Sequence, residues 1–166
     1  DSITIEVWVK ATAADGVLVY RRTSSSSTSN YWSLEVDDWT IRFKGRTSGG
    51  TFDLNSGESA QNQWGHAAVT VRADSILLYV DGNLEAAATR PDGDLSTGVR
   101  TWVGVEGVVV PIGDNRLTGS VYDLRIWSQP QVQLAIKNNS WEIVNTSRIS
   151  GLSALYEMSA GSGTSV

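Results

Sequence analysis

The chain contains no cysteine, and its 166 residues include one histidine and one methionine. Without cysteine it can form no disulfide framework, thiolate nucleophile or iron–sulfur site, and a single histidine makes a structural zinc site unfavourable. Lysine is scarce too, at 3 of the 13 basic residues, and the net charge is −5. Because proteins that bind nucleic acid usually carry a basic stripe, we expect no nucleic-acid partner.

Long apolar runs are also missing. The longest candidate, Val103–Ile112, is interrupted by glycine, glutamate and proline, and it falls well short of the ~20 residues that a membrane-spanning helix needs. No charged-then-apolar leader begins at Asp1. We therefore expect no membrane insertion, and we interpret the chain as a mature or excised part of an exported protein whose export signal lies outside it.

Apolar and polar residues alternate with period two along most of the chain, which is the pattern of half-buried strands. The strands predicted on this basis are Ser2–Lys10, Gly16–Arg22, Tyr31–Val36, Trp39–Lys44, Thr51–Leu54, Gly65–Arg72, Ser75–Val80, Leu84–Thr89, Thr101–Val105, Ser120–Trp127 and Leu152–Met158. Only Gln131–Asn138 has a helical pattern, and hairpin turns are predicted at Asp37-Asp38 and at Asp81-Gly82-Asn83. This pattern indicates an all-β antiparallel sandwich of two packed sheets, with a barrel as the alternative, and it excludes Rossmann and TIM architectures.

Four segments carry a family resemblance: Ile3–Lys10, Trp64–Val69, Leu78–Asn83 and Leu117–Trp127. In order, they resemble the motifs F-T-V-E-A-W-V-K, W-x-H-v-A-v, l-Y-v-D-G-k and f-x-G-x-I-D-e-V-R-I-y of the laminin-G-like, concanavalin A-like jelly rolls, which include the pentraxins. The resemblance implies a jelly-roll sandwich over roughly Ser2–Asn138, and it says little about the ligand.

The C-terminal segment Gly151–Met158 resembles the strand with which such domains usually begin, G-L-v-a-y-w-p-f. Two interpretations stay open. The strand closes the sheet of a single domain that spans residues 1–166, or residues 151–166 begin a following repeat. We favour the first, because alternate residues from Leu152 to Met158 form an apolar face that would otherwise be left on an exposed edge.

Glycan hydrolases share this fold, and its laminarinase-type member carries the strand motif E-x-D-x-(x)-E, which supplies the catalytic carboxylates. Glu35 and Asp37 match its first two carboxylates, but Trp39 or Thr40 stands at the position of the third. The one histidine, His66, has no G-x-S-x-G nucleophile to activate and is predicted to be structural. We therefore predict no catalytic residues.

Calcium is the cofactor that the resemblance implies. Pentraxin-type relatives hold it on two loops at one end of the sandwich, and the matching positions here are Asn30 and Glu106. Asp114 and Asn115 could replace the acidic residues that are missing after Glu106, because calcium prefers six to eight oxygen ligands. The predicted metal ligands are thus these four residues, and ordinary turn roles are the alternative for the Asn and Asp side chains.

Aromatic side chains could form a platform on which a sugar ring stacks. Four of the 7 tryptophans fall on apolar faces or within fold motifs and are predicted to lie in the core. These four are Trp32, Trp39, Trp64 and Trp127. By contrast, Trp8 and Tyr31 fall on the polar faces of their strands, so we predict that they are exposed and bind ligand, unless both faces of the strand are covered.

Basic side chains line one face of a predicted hairpin arm at Arg42, Lys44 and Arg46. They are either a solvated face or a contact for an anionic glycan or carboxylate. We include Arg42 and Lys44 among the predicted ligand-binding residues.

These observations predict a noncatalytic binding or adhesion module of an exported, multidomain protein, located outside the cell. The favoured ligand is carbohydrate, with calcium as a clamp or bridge. One alternative is a structural module without a sugar site, which joins neighbouring domains or subunits through protein contacts and whose partner is a cell-surface or extracellular protein. A second alternative is a divergent or inactive glycoside hydrolase.

Overall fold

The computed structural model describes residues 2–23, 29–95, 100–105, 115–141 and 150–157. These residues form two packed antiparallel sheets and one short helix. In chain order the elements are β1 (Ile3–Ala11), β2 (Gly16–Arg22), β3 (Tyr31–Asp37), β4 (Thr40–Thr47), β5 (Gly50–Ser59), β6 (Gly65–Val71), β7 (Ser75–Val80), β8 (Asn83–Thr89), β9 (Arg100–Val103), β10 (Gly119–Trp127), α1 (Gln133–Asn139) and β11 (Leu152–Tyr156). The predicted all-β sandwich is confirmed, and β5 is longer than its pattern suggested.

One sheet has six strands in the order β11-β10-β1-β6-β7-β8, and the other has five in the order β5-β4-β3-β2-β9. Both sheets are open at their edges, so the barrel alternative is wrong. The main core lies between the sheets, where aliphatic residues of β1 such as Ile5 and Val7 pack in one cluster with Trp32 and Phe43. Burying one such side chain stabilises the fold by about 1.5–3 kcal/mol, which is why period-two alternation dictates this architecture.

Two tight turns determine the register of their hairpins. Asp81 and Gly82 have φ angles of 50° and 76° between β7 and β8, as a primed turn requires. Asp38 and Trp39 have φ angles of 47° and 66° between β3 and β4. Trp39 lies in the turn before β4 and is only half-buried, so the prediction that it begins the fourth strand as a core residue is wrong. Its amide donates to the carbonyl of Ala14 (3.0 Å), and such anchoring helps to hold a bulky residue in the left-handed region.

The other three tryptophans predicted to lie in the core differ in burial. Trp32 and Trp127 are buried as predicted, whereas Trp64 is 48% exposed. Trp64 precedes β6 at the rim of the sandwich, beside a pocket of about 130 Å³ lined by ends of both sheets, including Val9, Ile41 and Val80. Neither sheet covers the indole at this rim. The prediction that Trp64 lies in the core, which rested on its place in a fold motif, is therefore wrong.

The outer face of the six-stranded sheet is covered by the segment that contains α1. Ile136 of α1 packs on Ala68 and Tyr79 in a second, smaller apolar cluster. The amide of Gln131 donates to Thr4 Oγ1 at 2.8 Å. Because this segment shields the sheet, the polar residues Thr4 and Glu6 on the outer face of β1 are buried.

The C-terminal strand β11 pairs antiparallel with β10, with Leu155 opposite Arg125 and Tyr156 opposite Leu124. Leu152 and Ala154 are half-buried there, while Tyr156 is exposed. Met158 lies outside the described residues. The extent of the domain, over residues 1–166 or short of residue 151, stays a prediction.

Candidate functional site

The outer face of the five-stranded sheet carries polar and aromatic side chains in cross-strand rows, since residues directly opposite each other in antiparallel strands share a face. The first row, which we call the arginine row, consists of Arg100, Arg22, Tyr31, Arg46 and Thr51 on β9, β2, β3, β4 and β5. The second row consists of Trp102, Tyr20, Ser33, Lys44 and Asp53 on the same strands. Glu35 and Arg42 follow in the third row. These rows together form the five-strand face.

Three aromatic rings form a continuous cluster on the five-strand face. The ring centroid of Tyr20 lies 6.1 Å from that of Tyr31 and 5.8 Å from that of Trp102. Tyr20 is only 3% exposed, because the other two rings flank it, and both of those remain half-buried. The cluster therefore presents an apolar surface with polar edges, of the kind on which a sugar ring can stack.

Sequence reasoning found Tyr31 but missed Tyr20 and Trp102. Its only signal for them was the alternation within two short strands, which does not say that β2 and β9 are neighbours. Strand pairing supplies that contact, with Tyr20 opposite Trp102.

Beside the aromatic cluster, Arg42 and Lys44 are held by carboxylates of the same face. Arg42 Nε donates to Asp53 Oδ1 at 2.7 Å, and its Nη1 donates to Asp37 Oδ2 at 2.8 Å. Lys44 Nζ lies 2.6 Å from Glu35 Oε1. The hydrogen bond to Asp53 raises the pKa of Arg42 above its ordinary value, and the same bond lowers the pKa of Asp53. Both predicted basic ligands thus share the face with Tyr31, but each is already engaged in an ion pair.

The carboxylates Glu35 and Asp37 lie at one end of this face, on alternate positions of β3. They line a polar pocket of about 130 Å³ together with Asp15, Lys44 and Asn115. Ser33 Oγ donates to Glu35 Oε2 at 3.0 Å, so Glu35 is fixed by a hydroxyl and an ammonium group. Where the hydrolase motif requires a third carboxylate, Trp39 occupies the turn, and Thr40 Oγ1 donates to the carbonyl of Asp37 at 2.7 Å.

The predicted calcium ligands are only partly described. Glu106 and Asp114 lie outside the described residues. Asn30 directly precedes β3, where its side-chain amide donates to the Asp94 carbonyl at 3.3 Å. Asn115 lines the pocket at the opposite end of β3, and a seven-residue strand spans about 20 Å.

Asn30 and Asn115, the two predicted ligands among the described residues, are therefore too far apart to bind the same calcium ion. Within the described ranges, no group of three or more histidine and acidic side chains is arranged to hold a metal ion. The calcium prediction stays a prediction, and it now depends on residues outside those ranges.

The fourth predicted ligand-binding residue, Trp8, lies on the opposite side of the molecule. It is half-buried on the outer face of the six-stranded sheet, where its ring centroid is 5.5 Å from that of His66. His66 is buried at 1% exposure, and burial together with the positive charge of Arg125 lowers its pKa to about 3. The histidine is thus a neutral packing residue, and Trp8 is not brought together with Tyr31, Arg42 or Lys44.

Next to His66 on this outer face lies a buried ionic cluster. Arg125 binds Asp123 through two hydrogen bonds, and its Nη1 lies 3.6 Å from Glu6 Oε2. Asn139 donates to Glu6 Oε1 at 3.4 Å. Although Arg125 opposes the effect, burial of the fully covered Glu6 dominates and raises its pKa to about 7. The cluster has a structural role, since it anchors the segment containing α1 to the sheet.

The fold is an antiparallel β-sandwich of two open sheets. A family model described as the concanavalin A-like lectin/glucanases superfamily matches residues 1–137. The chain therefore belongs to this superfamily, as its laminin-G-like motifs predicted. No curated protein sequence matches the chain.

Several solved structures share the fold at low sequence identity. A protein of Bacteroides ovatus ATCC 8483, provisionally described as carbohydrate-binding, aligns with a TM-score of 0.72 at 15% identity, over 99% of this chain and 47% of that one. The CBM40 of Ruminococcus gnavus IT-sialidase bound to α2,3-sialyllactose aligns with a TM-score of 0.70 at 13% identity, over 83% and 82%. Domains LG4-5 of the mouse laminin α1 chain align with a TM-score of 0.66 at 13% identity, over 95% and 40%. The chain thus spans less than half of the first and third of these structures.

Among the described elements, no helix has the length and apolar character needed to cross a membrane.

Proposed function

We propose that this chain is a noncatalytic carbohydrate-binding module of an exported, multidomain protein, and that the five-strand face is its glycan site. The observation that carries the proposal is the cluster of Tyr20, Tyr31 and Trp102, which offers stacking surface on a regular sheet. A sheet holds such rings more rigidly than a loop would, so little conformational entropy is lost when a sugar binds.

The polar groups around the cluster suit the hydroxyl groups of a sugar. Glu35 and Asp53 accept hydrogen bonds, and Lys44 and Arg42 donate them. Their mutual ion pairs fix these side chains before the ligand arrives. Solved relatives of this fold include a sialidase CBM40 bound to sialyllactose, which supports a glycan ligand for this chain. Location outside the cell is part of the proposal and rests on the family.

The noncatalytic part of the proposal rests on the carboxylates of β3. Glu35 and Asp37 are each held by a cation of β4, and Trp39 stands in place of a third acid. A hydrolase of this type needs one carboxyl group free to donate a proton to the leaving sugar. Turnover of a β-glucan that is abolished by Glu35→Gln would support the hydrolase alternative instead.

A glycan microarray followed by isothermal titration calorimetry tests the proposal. Trp102→Ala should weaken binding of any glycan that the array identifies by about fivefold or more, because a stacking contact contributes roughly 1 kcal/mol beyond the area it buries. The matched control is Tyr122→Ala, which removes an exposed aromatic ring from the six-stranded sheet.

Equal affinity of Trp102→Ala and the unchanged protein would contradict the site. If no glycan on the array binds and the protein self-associates in solution, the alternative of a structural module without a sugar site is favoured.

A further inference from the structure

The arginine row differs in charge from the rest of the five-strand face. It holds three arginines, Arg100, Arg22 and Arg46, and no acidic residue. In the next two rows the cations Lys44 and Arg42 are matched by carboxylates. The row is thus a local positive stripe on a chain whose net charge is −5.

Two of these arginines are direct cross-strand neighbours, since Arg22 on β2 is opposite Arg100 on β9. Arg22 Nε donates to Ser29 Oγ at 2.8 Å. The strand pairing therefore brings two guanidinium groups together at this edge of the face.

Arg46 lies on the other side of Tyr31, one strand away on β4. Within the described part of the chain, neither Arg46 nor Arg100 lies within 4 Å of a carboxylate oxygen. Arg46 differs in this respect from Arg42, which is four residues earlier on the same face of β4 and pairs with Asp37 and Asp53.

The spacing between the arginines of the row suits a charged glycan chain that lies across the strands. Neighbouring strands lie about 4.8 Å apart, so Arg22 and Arg46 flank the ring of Tyr31 at roughly 10 Å from each other. A sugar stacked on Tyr31 would carry its charged substituents toward either side. The planar guanidinium group donates two parallel hydrogen bonds, which suits a carboxylate or sulfate oxygen pair.

We infer that the arginine row selects glycans with anionic substituents, carboxylate or sulfate, over neutral ones. This inference rests on the proposed function, because it concerns the ligand class of the same face. An acidic protein surface would be a different partner and is an outcome of the test.

Three matched pairs of glycans separate charge from sugar structure: sialyllactose and lactose, tetragalacturonate and its methyl ester, and sulfated and unsulfated lactose. Calorimetry with EDTA present removes any contribution from calcium bridges. In at least one pair the anionic member should bind about tenfold more tightly, the size expected of a charge-assisted hydrogen bond. The pair that responds distinguishes carboxylate from sulfate.

Arg46→Gln should reduce this preference, because it removes a guanidinium group that can pair with the anionic substituent, and it should therefore weaken binding of the anionic member more than binding of the neutral member. Arg46→Lys keeps the charge but not the paired donors, so it should recover only part of the preference. The matched control is Lys10→Gln, which removes one positive charge from the outer face of the other sheet. Binding of the anionic member should also weaken as NaCl is raised, because salt screens exposed charges.

Equal affinities within all three pairs, or an Arg46→Gln variant that keeps the preference, would overturn the inference while the proposed function stands. If no glycan binds, the proposed function fails and the inference fails with it, and an acidic protein becomes the candidate for the row.

Discussion

The buried pair Glu6 and His66 should give the protein an unusual dependence of stability on pH. Both side chains lie on the outer face of the six-stranded sheet, on the neighbouring strands β1 and β6, at 0% and 1% exposure. Burial raises the pKa of Glu6 from 4.5 to about 7 and lowers the pKa of His66 from 6.5 to about 3. Each folded-state residue is therefore neutral where its unfolded counterpart is charged.

The two shifts act in opposite directions. Between pH 4.5 and 7 the folded state keeps the proton of Glu6 and the unfolded state has lost it, so this group makes the protein less stable as the pH rises. Between pH 3 and 6.5 the unfolded state binds a proton at His66 and the folded state does not, so this group makes the protein less stable as the pH falls. From pH 4.5 to 6.5 the two contributions cancel, each at roughly 1 kcal/mol per pH unit.

Glu6→Gln should expose the contribution of His66. The variant keeps an oxygen to accept the hydrogen bond from Asn139, and it removes a carboxylate that must be buried above pH 7. At pH 8 it should be more stable than the unchanged protein by up to roughly 3 kcal/mol, and below pH 6.5 its stability should fall continuously. His66→Gln should do the reverse and become more stable as the pH falls from 7 to 4.5.

Urea unfolding followed by tryptophan fluorescence, at half-unit steps from pH 4.5 to 8, measures these free energies of unfolding. The difference between a variant and the unchanged protein removes the shared contribution of the other carboxylates. The charge of Arg125 acts on both Glu6 and His66, and this arginine with its partner Asp123 is present in all three proteins. Differences that do not vary with pH would refute the raised pKa of Glu6 and the lowered pKa of His66.

Three further predictions test the metal and the packing. If calcium binds the native state through Glu106 and Asp114, EDTA should lower the melting temperature, and an unchanged melting curve would remove calcium from the proposal. Trp32→Ala should destabilise by about 3–5 kcal/mol in chemical denaturation, whereas Trp64→Ala, at the exposed rim, should cost about 1 kcal/mol or less; equal losses would contradict the core. Gly45→Ala should lower the melting temperature strongly, because its Cβ would lie 2.5 Å from the Tyr31 carbonyl oxygen, while Gly57→Ala, with a nearest contact of 3.9 Å, is the neutral control.

The fold could be predicted because its dominant signals are local. Alternation places Ile5 and Val7 on one face of β1 whatever the strand pairs with, and Asp81-Gly82 forms its turn through backbone preferences alone. The predictions were wrong for residues whose burial or backbone conformation depends on their position in the sandwich. Trp64 belongs to a recognised motif, yet it lies at a rim that no sheet covers. Trp39 continues the alternation of β4, yet the turn takes it into the left-handed region.

The candidate site is a product of strand order, and this explains why the sequence revealed only part of it. Tyr31, Arg42 and Lys44 lie within one hairpin, so their common face follows from local alternation. Arg22 and Arg100 are 78 positions apart and meet only because β9 pairs with β2. A positive stripe assembled from three strands leaves no mark in composition or net charge. The same reasoning distinguishes Arg46 from Arg42. The sequence shows two arginines four positions apart on one face of a strand, and only the carboxylates on β3 and β5 show that Arg42 is the one already paired.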